Sequence, residues 1–189
     1  MLQLNPEEGE TPMADYNKVL EVGDWQNGLV NAVIDIPMGS ILKIEWDRDR
    51  ACFTLDRVEP SIYPKPVNYG FIPQTLDADG DELDVLVVCS EPIPTGTWLS
   101  AKVLGVFNFE DDGDMDYKIV CVPADDRDTG DSINSLDDLG KRWQQKIEEH
   151  FAHYKDLKKP GATKVLGWGG VDDAKKVIED CIARYSQGA

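Results

Sequence analysis

The chain has 189 residues, 41% of them hydrophobic, which is enough to bury one substantial core and short for two. It carries 19 Lys and Arg against 36 Asp and Glu, which gives a net charge of -17. Nucleic acids and anionic membrane surfaces bind proteins through clustered Lys and Arg, so neither is expected as the main partner.

Residues 1–18 are polar and contain Pro6, Gly9 and Pro12, so we expect an irregular leader before a single domain over residues 19–189. The N-terminal residues lack the basic and apolar regions of a signal peptide, and no run of about 18 apolar residues occurs. The four cysteines form no CxxC pair. They predict free thiols in a reducing compartment, and the cytoplasm is the expected location.

From about residue 19 to residue 123 the dominant hydrophobic period is two, which is typical of strands. The predicted strands are residues 31–36, 42–46, 52–58, 83–89, 98–109 and 117–122. Because no helical pattern lies between them, they predict a closed antiparallel barrel, an arrangement that leaves no exposed sheet edge.

After Pro123 the period changes to that of helices. Apolar residues recur at helical spacing behind a capping pattern at Ser135 and predict one helix of about five turns that ends before Pro160. Those apolar residues are Leu136, Leu139, Trp143, Ile147, Phe151 and Tyr154. A second helix is predicted after Gly170. The expected fold is mainly β, a barrel with two flanking C-terminal helices.

Residues 77–84 read DADGDELD and place five carboxylates directly before an apolar run. The simplest interpretation is an exposed turn. A calcium loop of the EF-hand type would require Gly at the position of Glu82 and Glu at the position of Val88, and flanking helices, so it fails. A third interpretation is a magnesium site, in which a turn brings Asp79 towards Asp84 and a cation compensates the crowded carboxylates.

A second acidic segment, residues 110–116, lies in the turn between two predicted strands. Its Asp112-Gly113 pair is an ordinary hairpin signal, so a solvated loop is one interpretation. If the two segments meet, however, their carboxylates suffice for two or more neighbouring metal ions. Sites with two metal ions catalyse phosphoryl chemistry.

The run Asp79-Gly-Asp-Glu-Leu-Asp84 resembles the Asp-x-Asp-Pro-x-Asp signature of the soluble inorganic pyrophosphatases of family I, with Glu82 at the Pro position. The segments 68–73, 111–118, 153–157 and 164–168 also resemble segments of that family, in the same order. The resemblance covers about residues 28–185, which is nearly the whole chain.

This resemblance implies hydrolysis of inorganic pyrophosphate to two phosphates, with several Mg²⁺ ions per site, on a five-stranded barrel similar to the OB architecture. A metal-activated water would attack in line, with Asp81 as the general base. By motif match, Asp79, Asp84 and Asp116 would hold one metal ion, and Asp111 and Asp116 another. The family also implies a homo-oligomer, a hexamer by analogy.

The resemblance assigns substrate binding to a set of cationic and phenolic residues. They are Lys43, Arg57, Tyr69, Lys118, Tyr154 and Lys155. Asp35 and Glu45 match acidic positions at the edge of the cleft, behind the metal ligands.

Three positions depart from the family pattern. Asp35 stands where Glu is common, which shortens that side chain by one methylene. Lys65 stands where bacterial members often carry Tyr, so a hydroxyl contact there is lost or is taken over by Tyr63. Tyr117 replaces a small residue and could crowd the metal loop beside Asp116.

Two other functions compete with the enzyme. A binding module on the same barrel would bind metal ions or metal-phosphate without turnover. Nucleic-acid binding by the barrel is disfavoured by the charge and by the lack of interleaved aromatic and basic residues.

Overall fold

The computed structural model describes residues 15–128 and 132–188. Residues 1–14 of the predicted leader lie outside that part. The leader's last residues are helical rather than irregular: helix α1 spans Tyr16–Val19. It forms because the Asp15 side chain caps it, accepting a hydrogen bond from the Asn17 backbone N–H at 3.1 Å. A 3₁₀ turn at Trp25–Asn27 then leads into the first strand.

The described part of the chain contains eight strands, numbered in chain order. They are β1 (Leu29–Ile36), β2 (Leu42–Asp47), β3 (Cys52–Val58), β4 (Asn68–Phe71), β5 (Asp84–Val87), β6 (Trp98–Asp111), β7 (Asp114–Pro123) and β8 (Thr163–Gly169). All six predicted strands are present, with shifts of a few residues at their ends. The short strand β4 and the late strand β8 were not predicted.

Five of the strands close into a barrel. β1 pairs with β4, β4 with β5, β5 with β7, β7 with β6, and β6 returns to β1. The predicted barrel is therefore confirmed, but it is not fully antiparallel because β5 and β7 run parallel. A closed ring with an odd number of strands cannot alternate direction at every pair, so one parallel pair is required. β8 extends the sheet beside the second half of β6, while β2 and β3 form a separate hairpin.

The barrel strands are covered on both faces. Val85, Leu86 and Val87 of β5 are all fully buried, which explains their unbroken apolar run. Successive residues alternate between two hydrophobic clusters. The first cluster includes Val30, Ile34, Val85, Val87, Ile119 and Cys121. The second cluster includes Leu86, Phe107, Phe109, Val120 and Val122.

Within residues 132–188, the helices that follow the barrel strands are α2 (Leu136–Leu139), α3 (Lys141–His153) and α4 (Val171–Gly188). The single long helix predicted from Ser135 is therefore wrong, although Ser135 does cap α2 by accepting from the Asp138 N–H. Gly140 adopts φ 83° and ψ 151°, which no helix allows, and it separates α2 from α3. The predicted apolar face is nevertheless correct, since all six of its residues pack into the second cluster.

Helix α4 packs on the other side and adds Ala174, Ile178 and Cys181 to the first cluster. Within residues 15–128 and 132–188, no helix combines the length and the apolar character needed to span a membrane.

Candidate active site

A cavity of about 220 Å³ opens where the two acidic segments meet. Its wall combines nine carboxylates with four cations. The carboxylates are Asp35, Glu45, Asp77, Asp79, Asp81, Glu82, Asp84, Asp111 and Asp116; the cations are Lys43, Arg57, Lys65 and Lys118. Twelve of the thirteen residues that sequence reasoning selected line this cavity, Tyr69 and Tyr154 among them. The other one, Lys155, lines an adjoining cavity of about 650 Å³ that shares Lys43, Arg57, Asp111 and Tyr154 with the first.

The first acidic segment forms a tight turn at Gly80, which adopts φ 97°. The turn is held by the Asp77 N–H, which donates to the Asp81 carbonyl at 2.7 Å. Within it, the Asp81 N–H donates to the Asp79 side chain at 3.0 Å. These bonds place Asp79 and Asp81 at the cavity before β5 begins at Asp84.

Helix α4 anchors this turn from behind. The Arg184 guanidinium donates to the Leu76 carbonyl at 2.6 Å and to the Asp77 side chain at 3.2 Å. The Leu76 N–H donates to the Cys181 carbonyl at 3.0 Å. Asp77 is therefore a structural carboxylate, since it pairs with Arg184 rather than standing free in the cavity.

Glu82 has a structural function that sequence reasoning missed. A strand that included Glu82 would place it on the same face as Asp84, but β5 starts only at Asp84. The buried Glu82 carboxylate accepts from Asn17 Nδ2 at 2.6 Å and from Arg48 Nε at 2.8 Å. It thus ties the acidic turn to α1 and to the β2–β3 hairpin. No local pattern signals partners that lie 65 and 34 residues away.

Replacing Asn17 with Ala is expected to lower the free energy of unfolding by about 1–3 kcal/mol, because buried partners lose their hydrogen bonds. The Asn17 side chain donates to Glu82 and accepts from the Gln74 N–H at 2.7 Å. Urea denaturation measures the change. Asn27→Ala is the matched control, since Asn27 is exposed and its side chain donates to the exposed Asp24. Equal stability of the two variants would contradict this account of α1.

Asn68 positions the neighbouring Tyr69. Its fully buried side chain accepts from the Met38 and Ile93 N–H groups at 2.9 and 2.8 Å and donates to the Glu91 carbonyl at 3.1 Å. The amide therefore joins two loops to β4, which fixes the start of that strand.

Lys118 lies at the centre of the cavity floor. Its ammonium donates to Asp84 at 2.6 Å, to Asp116 at 2.8 Å and to the Tyr69 hydroxyl at 3.2 Å. The Tyr69 hydroxyl also donates to Asp84 in a short hydrogen bond. Burial would lower the pKa of Lys118, but the charges of the two carboxylates outweigh it and raise that pKa, so the lysine is charged.

Several of the carboxylates hold their protons unusually well. Burial, together with the charge of Asp84, raises the pKa of Asp116 to about 6, although Lys118 opposes the shift. Burial and the charge of Asp84 raise the pKa of Asp35 well above its ordinary value, and among the described residues its Oδ1 atom has no hydrogen-bond partner. Partial burial and the charge of Asp79 raise the pKa of Asp81. The cavity therefore carries more negative charge than its own cations balance.

The second acidic segment forms the hairpin between β6 and β7. Asp112 and Gly113 both adopt positive φ, 55° and 100°, as a two-residue hairpin requires. The preceding residue, Asp111, accepts from the Tyr154 hydroxyl at 3.1 Å and from Lys155 Nζ at 2.6 Å. Two residues of the turn that follows α3 therefore reach the acidic hairpin.

The β2–β3 hairpin supplies the opposite wall. Lys43 and Arg57 are cross-strand partners. Lys43 pairs with Glu45, and the Arg57 guanidinium donates to Asp56 at 2.6 Å and to Glu59 at 2.7 Å. Both cations therefore line the cavity while each forms an ion pair with a carboxylate.

The chemistry of the donors fits a hard divalent cation, because carboxylate oxygens are the ligands that Mg²⁺ prefers. A cation would also provide a partner for the Asp35 Oδ1 atom, which has none among the described residues, and would stabilise the charged form of carboxylates whose pKa is raised, such as Asp116. Among the described residues, no three His, Cys, Asp or Glu side chains converge closely enough to hold an ion in this conformation. Here the ammonium of Lys118 lies between Asp84 and Asp116.

Comparison with known proteins agrees with this geometry. The model of the inorganic pyrophosphatase family matches residues 32–186. This chain belongs to the inorganic pyrophosphatase family. It is 59% identical over 175 residues to the inorganic pyrophosphatase of Haemophilus influenzae, which covers 93% of this chain and 99% of the relative. The inorganic pyrophosphatase of Neisseria meningitidis serogroup B is 57% identical over 94% of this chain and 100% of its own length.

Solved inorganic pyrophosphatases share the fold. The crystal structure from Neisseria gonorrhoeae superposes with a TM-score of 0.89 at 57% identity, covering 91% of this chain and 99% of that one. The Thermus thermophilus structure superposes with a TM-score of 0.82 at 38% identity, covering 88% of this chain and 97% of that one. The chain is therefore an enzyme of the pyrophosphatase family, and its barrel is the OB-like one of that family.

Two of the three departures from the pyrophosphatase pattern have a structural outcome. Tyr117 does not line the main cavity: it packs against the first cluster and lines a different cavity, because strand alternation turns it away from Asp116 and Lys118. Tyr63 does not line the main cavity either, so it does not take over a contact at the position of Lys65.

Proposed function

We propose that this enzyme hydrolyses inorganic pyrophosphate to two phosphates, with Mg²⁺ as its cofactor. The observation that supports the proposal is the meeting of residues 77–84 and 110–116 in one cavity beside fixed cations. Carboxylates alone would repel the substrate, since two unit charges about 4 Å apart repel by roughly 4 kcal/mol at an effective dielectric near 20. Divalent cations would reverse that sign.

Four aspartates are proposed to hold the ions: Asp79, Asp84 and Asp116 would hold one ion, and Asp111 and Asp116 would hold another. When bound, Mg²⁺ would neutralise phosphate oxygens and lower the pKa of a coordinated water. Lys118 touches both Asp84 and Asp116, so it would keep these ligands in place and could turn its charge to the substrate.

Asp81 is proposed as the general base. It lies at the cavity edge, where its raised pKa brings it closer to neutral pH and makes its carboxylate a better proton acceptor. The water oxygen attacks one phosphorus atom, and the bond from that phosphorus to the bridging oxygen breaks. The proton of the water passes to Asp81, and the second phosphate leaves with the bridging oxygen.

The leaving phosphate would face a basic wall. Lys43, Arg57, Tyr154 and Lys155 line the adjoining cavity of about 650 Å³, with Lys158 and Lys159 further out. Guanidinium and ammonium groups bind phosphate oxygens strongly, Arg through a planar fork. Because Lys43, Arg57, Lys155 and Lys159 already pair with carboxylates, substrate binding at these residues would exchange one anion for another rather than move a cation out of water.

Phosphate release from pyrophosphate is expected in the presence of Mg²⁺ and should fall at least about 10²-fold when a chelator removes the metal, since metal ions contribute several kcal/mol to such reactions. Re-adding Mg²⁺ should restore the rate. A colorimetric phosphate assay measures both. Asp81→Asn protein, purified in parallel, controls for a contaminating phosphatase.

A chelator-resistant activity would contradict the proposed metal dependence. Tight Mg²⁺ binding without any phosphate release would instead favour the binding module, and calorimetry beside the assay separates these results. The high negative charge supports the prediction that neither nucleic acid nor membrane is a partner. The homohexamer and the cytoplasmic location stay predictions from the family resemblance and the cysteines.

A further inference from the structure

Lys65 is a buried cation that faces the active-site cavity without an anionic partner. Its residue is only 7% exposed, and it lines the main cavity. Within residues 15–128 and 132–188, no carboxylate oxygen lies close enough to pair with its ammonium. The three other cavity cations each pair with carboxylates, as Lys118 does with Asp84 and Asp116.

The ammonium of Lys65 is enclosed by aromatic rings instead. Its Nζ atom lies 4.6 Å from the ring centre of Tyr69, 5.5 Å from that of Phe151 and 5.4 Å from that of Tyr154. Two of these rings are fixed at their far ends, because the Tyr69 hydroxyl bonds to Asp84 and the Tyr154 hydroxyl to Asp111.

The backbone that carries Lys65 is rigid. Pro64 and Pro66 flank it, and each restricts its own φ angle. The Lys65 N–H donates to the Ser40 carbonyl at 2.9 Å, and the Gly39 N–H donates to the Lys65 carbonyl at 2.9 Å. The backbone at Lys65 is therefore preorganised before a ligand binds, so binding costs little conformational entropy.

An isolated ammonium in this place is costly for the free protein. Burial and the positive charge of Lys118 lower the pKa of Lys65 to about 7. A bound polyanion would supply the missing counter-charge. Because Lys65 has no ion pair to break, it gains more from that anion than a cation that must first leave a carboxylate.

We propose that Lys65 is a further substrate-binding residue, whose ammonium binds a phosphate oxygen of pyrophosphate from the aromatic side of the cavity. The inference rests on the proposed function for the identity of the anion. It assigns a cationic contact to a position where the family resemblance predicted only a lost hydroxyl.

Lys65→Met removes the charge but keeps an unbranched side chain that packs well against aromatic rings. We expect the KM for pyrophosphate in excess Mg²⁺ to rise about 10- to 100-fold, the range for a hydrogen bond to a charged group, with a smaller change in kcat. Lys146→Met is the matched control, because Lys146 lies 4.4 Å from the ring centre of Trp143 but does not line the cavity. Its KM should equal that of the wild type.

Isothermal titration with magnesium and imidodiphosphate, a diphosphate that resists hydrolysis, tests binding without turnover. Lys65→Met should raise the dissociation constant by a similar factor, while its melting temperature stays equal or increases. A KM and a dissociation constant within about twofold of the wild type would overturn the proposal, as would a loss that tracks a lower melting temperature. If the wild type releases no phosphate but Lys65→Met weakens imidodiphosphate binding, the proposed function fails and the Lys65 contact stands.

Discussion

Replacing Asp81 with Asn is expected to lower kcat for phosphate release by about 10²- to 10⁴-fold, the usual contribution of a general base. The amide keeps the size and the shape of the side chain but cannot accept the proton of the attacking water. The turn itself should survive, because it is held by the backbone groups of Asp81 and by the side chain of Asp79.

The matched control is Asp137→Asn, an exposed aspartate in α2 that lines neither active-site cavity. It should retain the wild-type rate. The melting temperatures of both variants should match that of the wild type, which separates a chemical effect from unfolding. If Asp81→Asn keeps more than about a tenth of the activity, then Asp81 is not the base and another group must receive the proton.

Gly70→Ala is expected to lower the free energy of unfolding by about 3 kcal/mol or more, or to prevent folding altogether, since overpacking against a backbone that cannot yield lies at the upper end of such costs. Gly70 pairs with Ile34 across β1 and β4. A Cβ atom at Gly70 would lie 1.9 Å from the Val33 carbonyl oxygen and 2.9 Å from the Ile34 Cα atom. Only a shift of β1 or β4 could relieve these contacts, and that shift would weaken the barrel.

Gly170→Ala serves as the control for this substitution. A Cβ atom at Gly170 meets no atom within 4 Å, and its φ is not in the left-handed region. We expect a change of about 1 kcal/mol or less, the ordinary difference between Gly and Ala. Urea denaturation of the two variants and the wild type gives the comparison. A Gly70→Ala protein as stable as Gly170→Ala would show that β1 and β4 are not in the close contact described above.

The regular elements could be predicted from the sequence wherever one hydrophobic period dominates. The strand Cys52–Val58 and the apolar face that runs through α3 are examples. β4 could not be predicted, because it has only four residues and includes Asn68 and Gly70, which are poor strand formers. β8 was missed for a related reason: Gly167 adopts φ 104° and shifts the register with β6, which interrupts the alternation.

Most residues that line the candidate site could also be selected from the sequence, because its two acidic segments carry many carboxylates at characteristic spacings. The interactions that these residues make could not be predicted. The bond between Glu82 and Asn17 spans 65 residues, and the isolation of Lys65 depends on carboxylates that lie elsewhere. Tyr117 shows the same limit, since its neighbour in sequence, Asp116, lines the cavity while the partly buried Tyr117 ring packs against the first cluster.

The parallel pair of β5 and β7 determines where the reactive groups can gather. In this register Asp84, the first residue of β5, lies opposite Lys118 of β7, so the acidic turn that precedes Asp84 and the acidic segment that precedes Lys118 lie at one rim of the barrel. Were the two strands to run in opposite directions, the same residues would start from opposite rims, about 10 Å apart over three residue steps. This parallel pair thus brings two anionic loops to the same end of the barrel, where the proposed divalent ions would bind.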